Sequence, residues 1–501
     1  MLRTVIAAAV LAGALHGQAA AQTGTTALPL PVQQALREGG LPDEALGAVV
    51  LRGNTVLVSH GAERSMNPAS TLKLLTTFVG LDQLGPAFRG RTELRSTAQV
   101  ADGVLQGDLY LRGGADADFN EDALVHMLER LRAQGIRTIA GDLVLDRQLF
   151  RPARLDVGRA PFDDAPQSYY NVIPDALLLN MNMLRIDVRA TETQLQLAML
   201  PELDGVAIAS DMTLADASCA QWDAGWREPT VERRDGKLTV VLHGTFPKNC
   251  TATRHANVLD RDDYAGALFR ATWKRLGGTL SGAVRVAAPD QATPATALVL
   301  VEHVSRALPE TIRDTNKTSD NTLARLLFLS LGSLDFDAVA GSRPALFDDG
   351  AGAGAGTGTT TAMRAEQRVR SWMRRNGIAD EGLVIENGAG LSRNERLRPA
   401  QLAALLRVAQ RSPWLPELQA SMPIVAVDGT MRRRLLDSPA AARARIKTGT
   451  LNGVVAVAGY VPDASGEPCI VVALVNHELA GNGNGRKVVD ALIDWVARSA
   501  P

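Results

Sequence analysis

The stretch Asn67-Pro68-Ala69-Ser70-Thr71-Leu72-Lys73 opens an amphipathic segment that runs to Gly85-Pro86. Asn67 is suited to cap a helix, Pro68 to its first turn, and Gly85-Pro86 to its end. Leu72, Leu75 and Val79 recur at helical spacing and give it a buried stripe. Ser70 and Lys73 are three residues apart, so a helix sets them on one face with the amine in reach of the hydroxyl. The helix N-terminus adds positive partial charge beside them. A lysine that accepts a proton must be neutral. Moving its pKa from about 10.4 to about 7.4 takes about 4 kcal/mol, which burial and a nearby cation can supply. By itself Ser-x-x-Lys is usually a solvated pair on a surface helix.

Working outward, residues 48–51 and 55–59 flank Gly53-Asn54 and read as a β-hairpin. At the start, Arg3, the apolar run 4–15 and Ala19-Ala20-Ala21 form an export signal over residues 1–21. Its apolar run of about 12 residues is too short to span a bilayer, so no transmembrane anchor is expected.

Downstream the texture changes from about 92 to 288. Gly107-Asp108-Leu109 and Gly141-Asp142-Leu143 each begin a β-run, with a helical stretch at 121–135 between them. Further β-runs fall at 184–188 and 238–242. We expect a mixed α/β insertion over 91–289, with a nested piece near 165–240. Cys219 and Cys250, 31 residues apart, are a disulfide candidate in an exported chain. Cys469 reads as core. No Cys-x-x-Cys or close His pair is present, so no metal site and no cofactor is expected.

Helical signals return at 298–308, 321–331, 361–375 and 399–409, and the alternating glycines of 350–360 read as a surface loop. Strands are expected at 445–451, 454–461 and 469–475, then a helix at 486–497 that packs on them. The hairpin and these last strands would make one antiparallel five-stranded sheet beside a helical lobe. The main domain would then comprise 22–90 and 290–501, an α+β, multidomain arrangement with a large insertion.

Two further triplets carry chemistry. Ser319-Asp320-Asn321 stands between helical segments; Ser319 can relay a proton, and the Asn321 amide can hold Lys73 and a substrate carbonyl. Each residue alone is an ordinary cap. Ser392-Arg393-Asn394 is a competing match, and Lys317 with the following amphipathic helix favours Ser319. Lys447-Thr448-Gly449 begins a strand. Its cation and Thr448 can bind a carboxylate, and Gly449 lets a peptide lie close along the strand edge. The N–H groups of Ser70 and Thr450 could form an oxyanion hole. The three motifs, in this order on helix, loop–helix and strand, carry the argument together.

With these motifs the chain resembles the penicillin-recognising serine enzymes. It is most similar to the class C low-molecular-mass penicillin-binding proteins, the D-alanyl-D-alanine carboxypeptidase/endopeptidase family. Residues 67–71, 141–146, 386–393 and 427–431 are also family-like, although Asn387-Gly388-Ala389-Gly390 stands where Asp-Gly-Ser-Gly is commoner. The resemblance implies a β-lactamase/transpeptidase-like fold. It also implies a peptidoglycan stem-peptide substrate, acylation by β-lactams, and a periplasmic location, loosely associated with the membrane surface at most. In its terms the catalytic residues are Ser70 as nucleophile, Lys73 as base and Ser319 as relay, together with Asn321 and Lys447, while Thr448, Gly449 and Thr450 bind substrate. Asp163 and Asp164 could meet a substrate ammonium if they fold over the cleft. Solvated surface acids are the competing reading.

Other readings are weaker. A β-lactamase would need an added base for deacylation, and no Glu-x-x-Leu-Asn-type segment is present. A non-catalytic β-lactam or peptidoglycan sensor would not need all five reactive residues. No Gly-x-Ser-x-Gly is present to suggest an unrelated esterase. Lys plus Arg number 53 against 54 Asp plus Glu, a net charge of -1, and aromatics are 4%, so no nucleic-acid surface is expected. Hydrophobic residues make up 46%, which excludes a disordered chain.

Overall fold

The computed structural model describes residues 27–345 and 359–500; the expected export signal and residues 350–358 of the glycine-alternating run lie outside them. Five antiparallel strands form the central sheet. They are β1 (Leu46–Arg52), β2 (Thr55–His60), β3 (Arg445–Leu451), β4 (Val454–Pro462) and β5 (Pro468–Asn476), in the order β2-β1-β5-β4-β3. The hairpin of the N-terminal part therefore pairs with the last strand, Leu46 opposite Val475 and Arg52 opposite Cys469. The strand β3 is left at an edge.

Both faces of this sheet are covered, which explains why its strands read as continuous apolar runs rather than alternating ones. Val471, Ala473 and Val475 pack with α1 (Leu30–Glu38) and the C-terminal helix on one face. Ile470 and Val472 face the other side, against α2 (Lys73–Leu84) and the helical lobe. That lobe comprises α3 (Leu308–Lys317), α4 (Asn321–Leu331), α5 (Thr361–Arg375), α6 (Pro399–Gln410) and α7 (Leu415–Ser421). Helix α8 (Asn484–Arg498) buries Val488, Val489, Leu492, Ile493 and Val496 on the sheet, as its spacing predicts.

The segment after α2 forms a second five-stranded sheet with its own core. Its strands, across the sheet, are Val284–Val286, Leu143–Asp146, Leu109–Gly114, Arg91–Ser96 and Leu298–Val304. One expectation fails here: residues 298–304 form a strand, not the start of a helix. The run Leu298-Val299-Leu300-Val301 is rich in β-branched residues, and Glu302 pairs with Arg91 on the neighbouring strand. A boundary at 290 would cut this sheet between its two outer strands. Gly90 and Ser305 close the stem instead, with Ser305 N–H donating to Gly90 O at 3.0 Å and Gly90 N–H to Ser305 Oγ at 2.9 Å. We propose that the inserted unit runs from Arg91 to Ser305. Smaller sheets within it include Leu184–Ala190 between Leu195–Leu200 and Thr251–Ala256. A disulfide joins Cys219 to Cys250, and Cys469 is a buried free thiol on β5.

Candidate active site

Three segments meet at the exposed edge of β3. The first is a 3-10 turn, Ala69–Leu72, that leads into α2. The α-helix therefore starts at Lys73, and Ser70 sits on a tighter turn than its motif suggested. Asn67 caps that turn: its Oδ1 accepts the Ala69 N–H at 2.9 Å, and its Nδ2 donates to Ser392 O at 2.9 Å. Ala69 adopts a φ of 45°, in the left-handed region where side chains are strained. Two glycines hold the turn there. A Cβ on Gly390 would lie 1.9 Å from Ala69 O, and a Cβ on Gly449 would lie 2.9 Å from both Pro68 O and Ser70 N. Gly449 thus seats β3 against the serine turn, where the sequence suggested room for a peptide.

Lys73 is fully buried, while Ser70 keeps partial exposure. The Lys73 Nζ donates to Ser70 Oγ at 2.9 Å, Asn321 Oδ1 at 2.7 Å and Ala389 O at 2.5 Å. Burial lowers its pKa to about 7, against the pull of the Asp320 and Glu395 carboxylates, and the Arg325 guanidinium adds to the lowering. A buried amine that is neutral for part of the time, in contact with a partly exposed hydroxyl, can take the hydroxyl proton.

The second segment is the link between α3 and α4. Ser319 has a φ of 63°, and Asp320 caps α4 by accepting the Leu323 N–H at 2.8 Å. The third is β3, whose Lys447 is fully buried and donates to Ser319 Oγ and to Thr448 O, both at 2.8 Å. Burial pushes the Lys447 amine well below the usual lysine range, and the charge of Lys73 pushes the same way. Among the described residues Ser319 Oγ is therefore hydrogen-bonded to Lys447 and not to Lys73. Thr448 Oγ1 donates to Thr430 Oγ1 at 2.7 Å, while Thr450 is exposed.

The insertion borders this cleft. Asn321 Nδ2 donates to Tyr170 O at 3.0 Å, so one amide proton expected to meet substrate is held by the insertion loop. Tyr169 Oη donates to Asp320 Oδ2 at 2.5 Å, and Arg393 lies over the Phe162 ring at 5.3 Å. Asp163 organises the loop by accepting from Tyr170 Oη and Asn171 Nδ2, both at 2.7 Å. Asp164 is exposed, and among the described residues it makes no hydrogen bond or ion pair with the motif residues. The competing Ser392 and Asn394 bond to the Glu386 carboxylate and serve their own loop.

Two buried charges were missed. Glu395 is wholly buried, and its Oε1 accepts the N–H groups of Glu386 at 3.2 Å and Asn387 at 3.1 Å, whereas Oε2 has no hydrogen-bond partner among the described residues. Burial raises its pKa. Arg325, on α4, donates to Asn171 O at 3.2 Å and Val172 O at 3.1 Å, and burial lowers its pKa to about 10. Glu395 stands beside the quoted 386–393 stretch, and Arg325 interrupts the apolar run Leu323 to Leu331. Arg325 was visible as a charge in an apolar run, whereas Glu395, between Asn394 and Arg396, carried no such signal.

Residues 30–499 match the model of the D-Ala-D-Ala carboxypeptidase 3 (S13) family. The chain belongs to that family. As an S13 member it is a serine-type D-Ala-D-Ala carboxypeptidase. It is similar to D-alanyl-D-alanine carboxypeptidase DacB of Haemophilus influenzae, with 26% identity over 442 residues, covering 86% of this chain and 84% of the relative. It is 28% identical over 475 residues to the D-alanyl-D-alanine carboxypeptidase of Actinomadura sp. (strain R39), covering 91% and 82%. The crystal structure of penicillin binding protein 4 (dacB) from Haemophilus influenzae shares the S13 fold, with a TM-score of 0.75 at 23% identity over 93% of this chain and 99% of that one. Among the described residues no helix is long and apolar enough to cross a membrane.

Proposed function

We propose that this carboxypeptidase hydrolyses the D-Ala-D-Ala end of peptidoglycan stem peptides, and the D-alanyl cross-links between them, through an acyl-enzyme on Ser70. The observation that carries the reading is the contact of Lys73 Nζ with Ser70 Oγ at 2.9 Å, with the amine at a pKa of about 7. In acylation Lys73 takes the Ser70 proton as Oγ bonds to the scissile carbonyl carbon. The oxyanion of the tetrahedral intermediate accepts from the Ser70 and Thr450 N–H groups. As the C–N bond breaks, Ser319, polarised by Lys447, gives its proton to the departing amine and takes in return the proton that Lys73 gained from Ser70, so that both groups are restored. Water then attacks the ester, releases the shortened peptide and restores the Ser70 hydroxyl. Lys447 and Thr448 hold the carboxylate of the leaving residue.

A β-lactam acylates Ser70 by the same route, but its amine stays tethered in the cleft and obstructs water. One relative of this fold has been crystallised in complex with a β-lactam, penicillin binding protein 4 (dacB) of Haemophilus influenzae. The export signal at 1–21 supports delivery to the periplasm, where this substrate lies.

The test is digestion of purified pentapeptide and cross-linked muropeptides, followed by mass analysis. The wild type is expected to remove one alanine from pentapeptides and to open dimers, and Ser70→Ala to do neither. Activity surviving in Ser70→Ala would overturn the assignment.

A further inference from the structure

Along β3, alternate residues point to opposite sides. Lys447 and Gly449 turn toward Ser319 and Ser70. Thr448 and Thr450 turn the other way and line a cavity of about 440 Å³. Cavities in the range of about 300–1,000 Å³ hold drug-sized ligands, far more than a single departing alanine needs.

The walls of this cavity are strongly basic. Arg432, Arg433, Arg434 and Arg486 all line it. Asp490 pairs with Arg434. Among the described residues no carboxylate forms an ion pair with Arg432, Arg433 or Arg486, although Asp490 also feels the Arg486 charge, and all three are exposed. The N-terminus of α8 also opens here: its cap residue, Gly483, lines the cavity and supplies no side-chain cap. The positive end of a 15-residue helix thus adds to three exposed guanidinium groups. Guanidinium groups pair with carboxylates through two parallel hydrogen bonds.

We infer that this cavity is a subsite for an acidic peptide leaving group, the second stem of a cross-linked pair. The inference deepens the proposed function and rests on it. A substrate strand laid along the edge of β3 carries its leaving side past Thr448 and Thr450, and so toward Arg432, Arg433 and Arg486. A single alanine brings one carboxylate, which Lys447 and Thr448 already take. A cross-linked stem brings further carboxylates, with which the arginines can pair. The subsite therefore raises the efficiency of cross-link cleavage relative to alanine release.

The experiment compares kcat/KM for a cross-linked muropeptide dimer and for a monomeric pentapeptide, using the full exported chain and the variants Arg486→Ala and Arg432→Ala/Arg433→Ala. Melting temperature and covalent labelling by a fluorescent penicillin check that each variant is folded and retains its serine chemistry. The dimer-to-pentapeptide ratio is expected to fall about tenfold for each guanidinium–carboxylate pair that a variant removes. Amidating the dimer's free carboxylates should lower the wild-type ratio likewise, and added salt should lower it for wild type more than for either variant. An unchanged ratio in both variants, with dimers still cleaved, overturns the subsite and leaves the proposed function standing. A wild type that trims pentapeptides but never opens dimers also overturns it. A wild type that does neither overturns the proposed function itself.

Discussion

If Lys73 is the base in acylation, the rate of that step should follow its neutral form. Its pKa of about 7 against an ordinary 10.5 amounts to about 5 kcal/mol of relative destabilisation of the charged amine. At pH 7.4 an unperturbed lysine would be neutral about 0.1% of the time, whereas this one is neutral for more than half of it. Labelling by a fluorescent penicillin, followed by stopped flow from pH 5 to 9, should give a second-order rate constant that rises with pH, is half-maximal near pH 7 and then levels. The decisive perturbation is Asp320→Asn. Asp320 is the carboxylate that most opposes the lowering of Lys73, and Asn retains the helix cap that Asp320 provides. Removing that charge should move the midpoint down by about one pH unit, the low end of the range for a nearby opposite charge. Acylation at pH 6 should then be faster in the variant, relative to its plateau. A wild-type rate that still climbs beyond pH 9, or an Asp320→Asn midpoint that rises, would rule out Lys73 as the base.

Other outcomes follow from the same geometry. Gly390→Ala places a Cβ 1.9 Å from Ala69 O at a φ of 77°, so it should lower the melting temperature and cut penicillin acylation by more than tenfold. Gly449→Ala crowds Ser70 N and Pro68 O at 2.9 Å, and should slow acylation by a similar factor with a smaller loss of stability in thermal melts. Replacing Cys219 and Cys250 together by Ser opens a loop closed across 31 residues, which should cost the insertion about 3–4 kcal/mol in denaturant unfolding on the chain-entropy account. Penicillin labelling should persist in that variant, because the disulfide lies outside the Ser70 cleft.

Much of the central sheet was legible because β3, β4 and β5 are apolar runs bounded by turn residues, and Asn452-Gly453 marks their hairpin. That the opening hairpin joins the closing strands in one sheet followed from element order, while the pairing of β1 with β5 is seen only in the structure. The strand at 298–304 was misread because Leu298 to Val304 contains both i, i+3 and alternating apolar spacings. Its partner, Arg91 to Ser96, lies some two hundred positions away, and local periodicity carries no trace of it. The meeting of Ser70, Lys73, Ser319, Asn321 and Lys447 was expected from motif order. The contacts that tune them were not: Arg325 and Glu395 become neighbours of the site only when α4 and the 386–396 loop pack beside α2. The tight turn at Ala69 was hidden for a similar reason, since its strain is sustained by Gly390 and Gly449, both far off in sequence.

Acylation of Ser70, activated by Lys73, is read out by proteolysis and mass analysis of the protein after brief exposure to benzylpenicillin at neutral pH. One added penicillin is expected, mapped to the peptide that contains Ser70 and missing from Ser70→Ala and Lys73→Ala. An adduct on any other peptide, or one that still forms in Ser70→Ala, would contradict it.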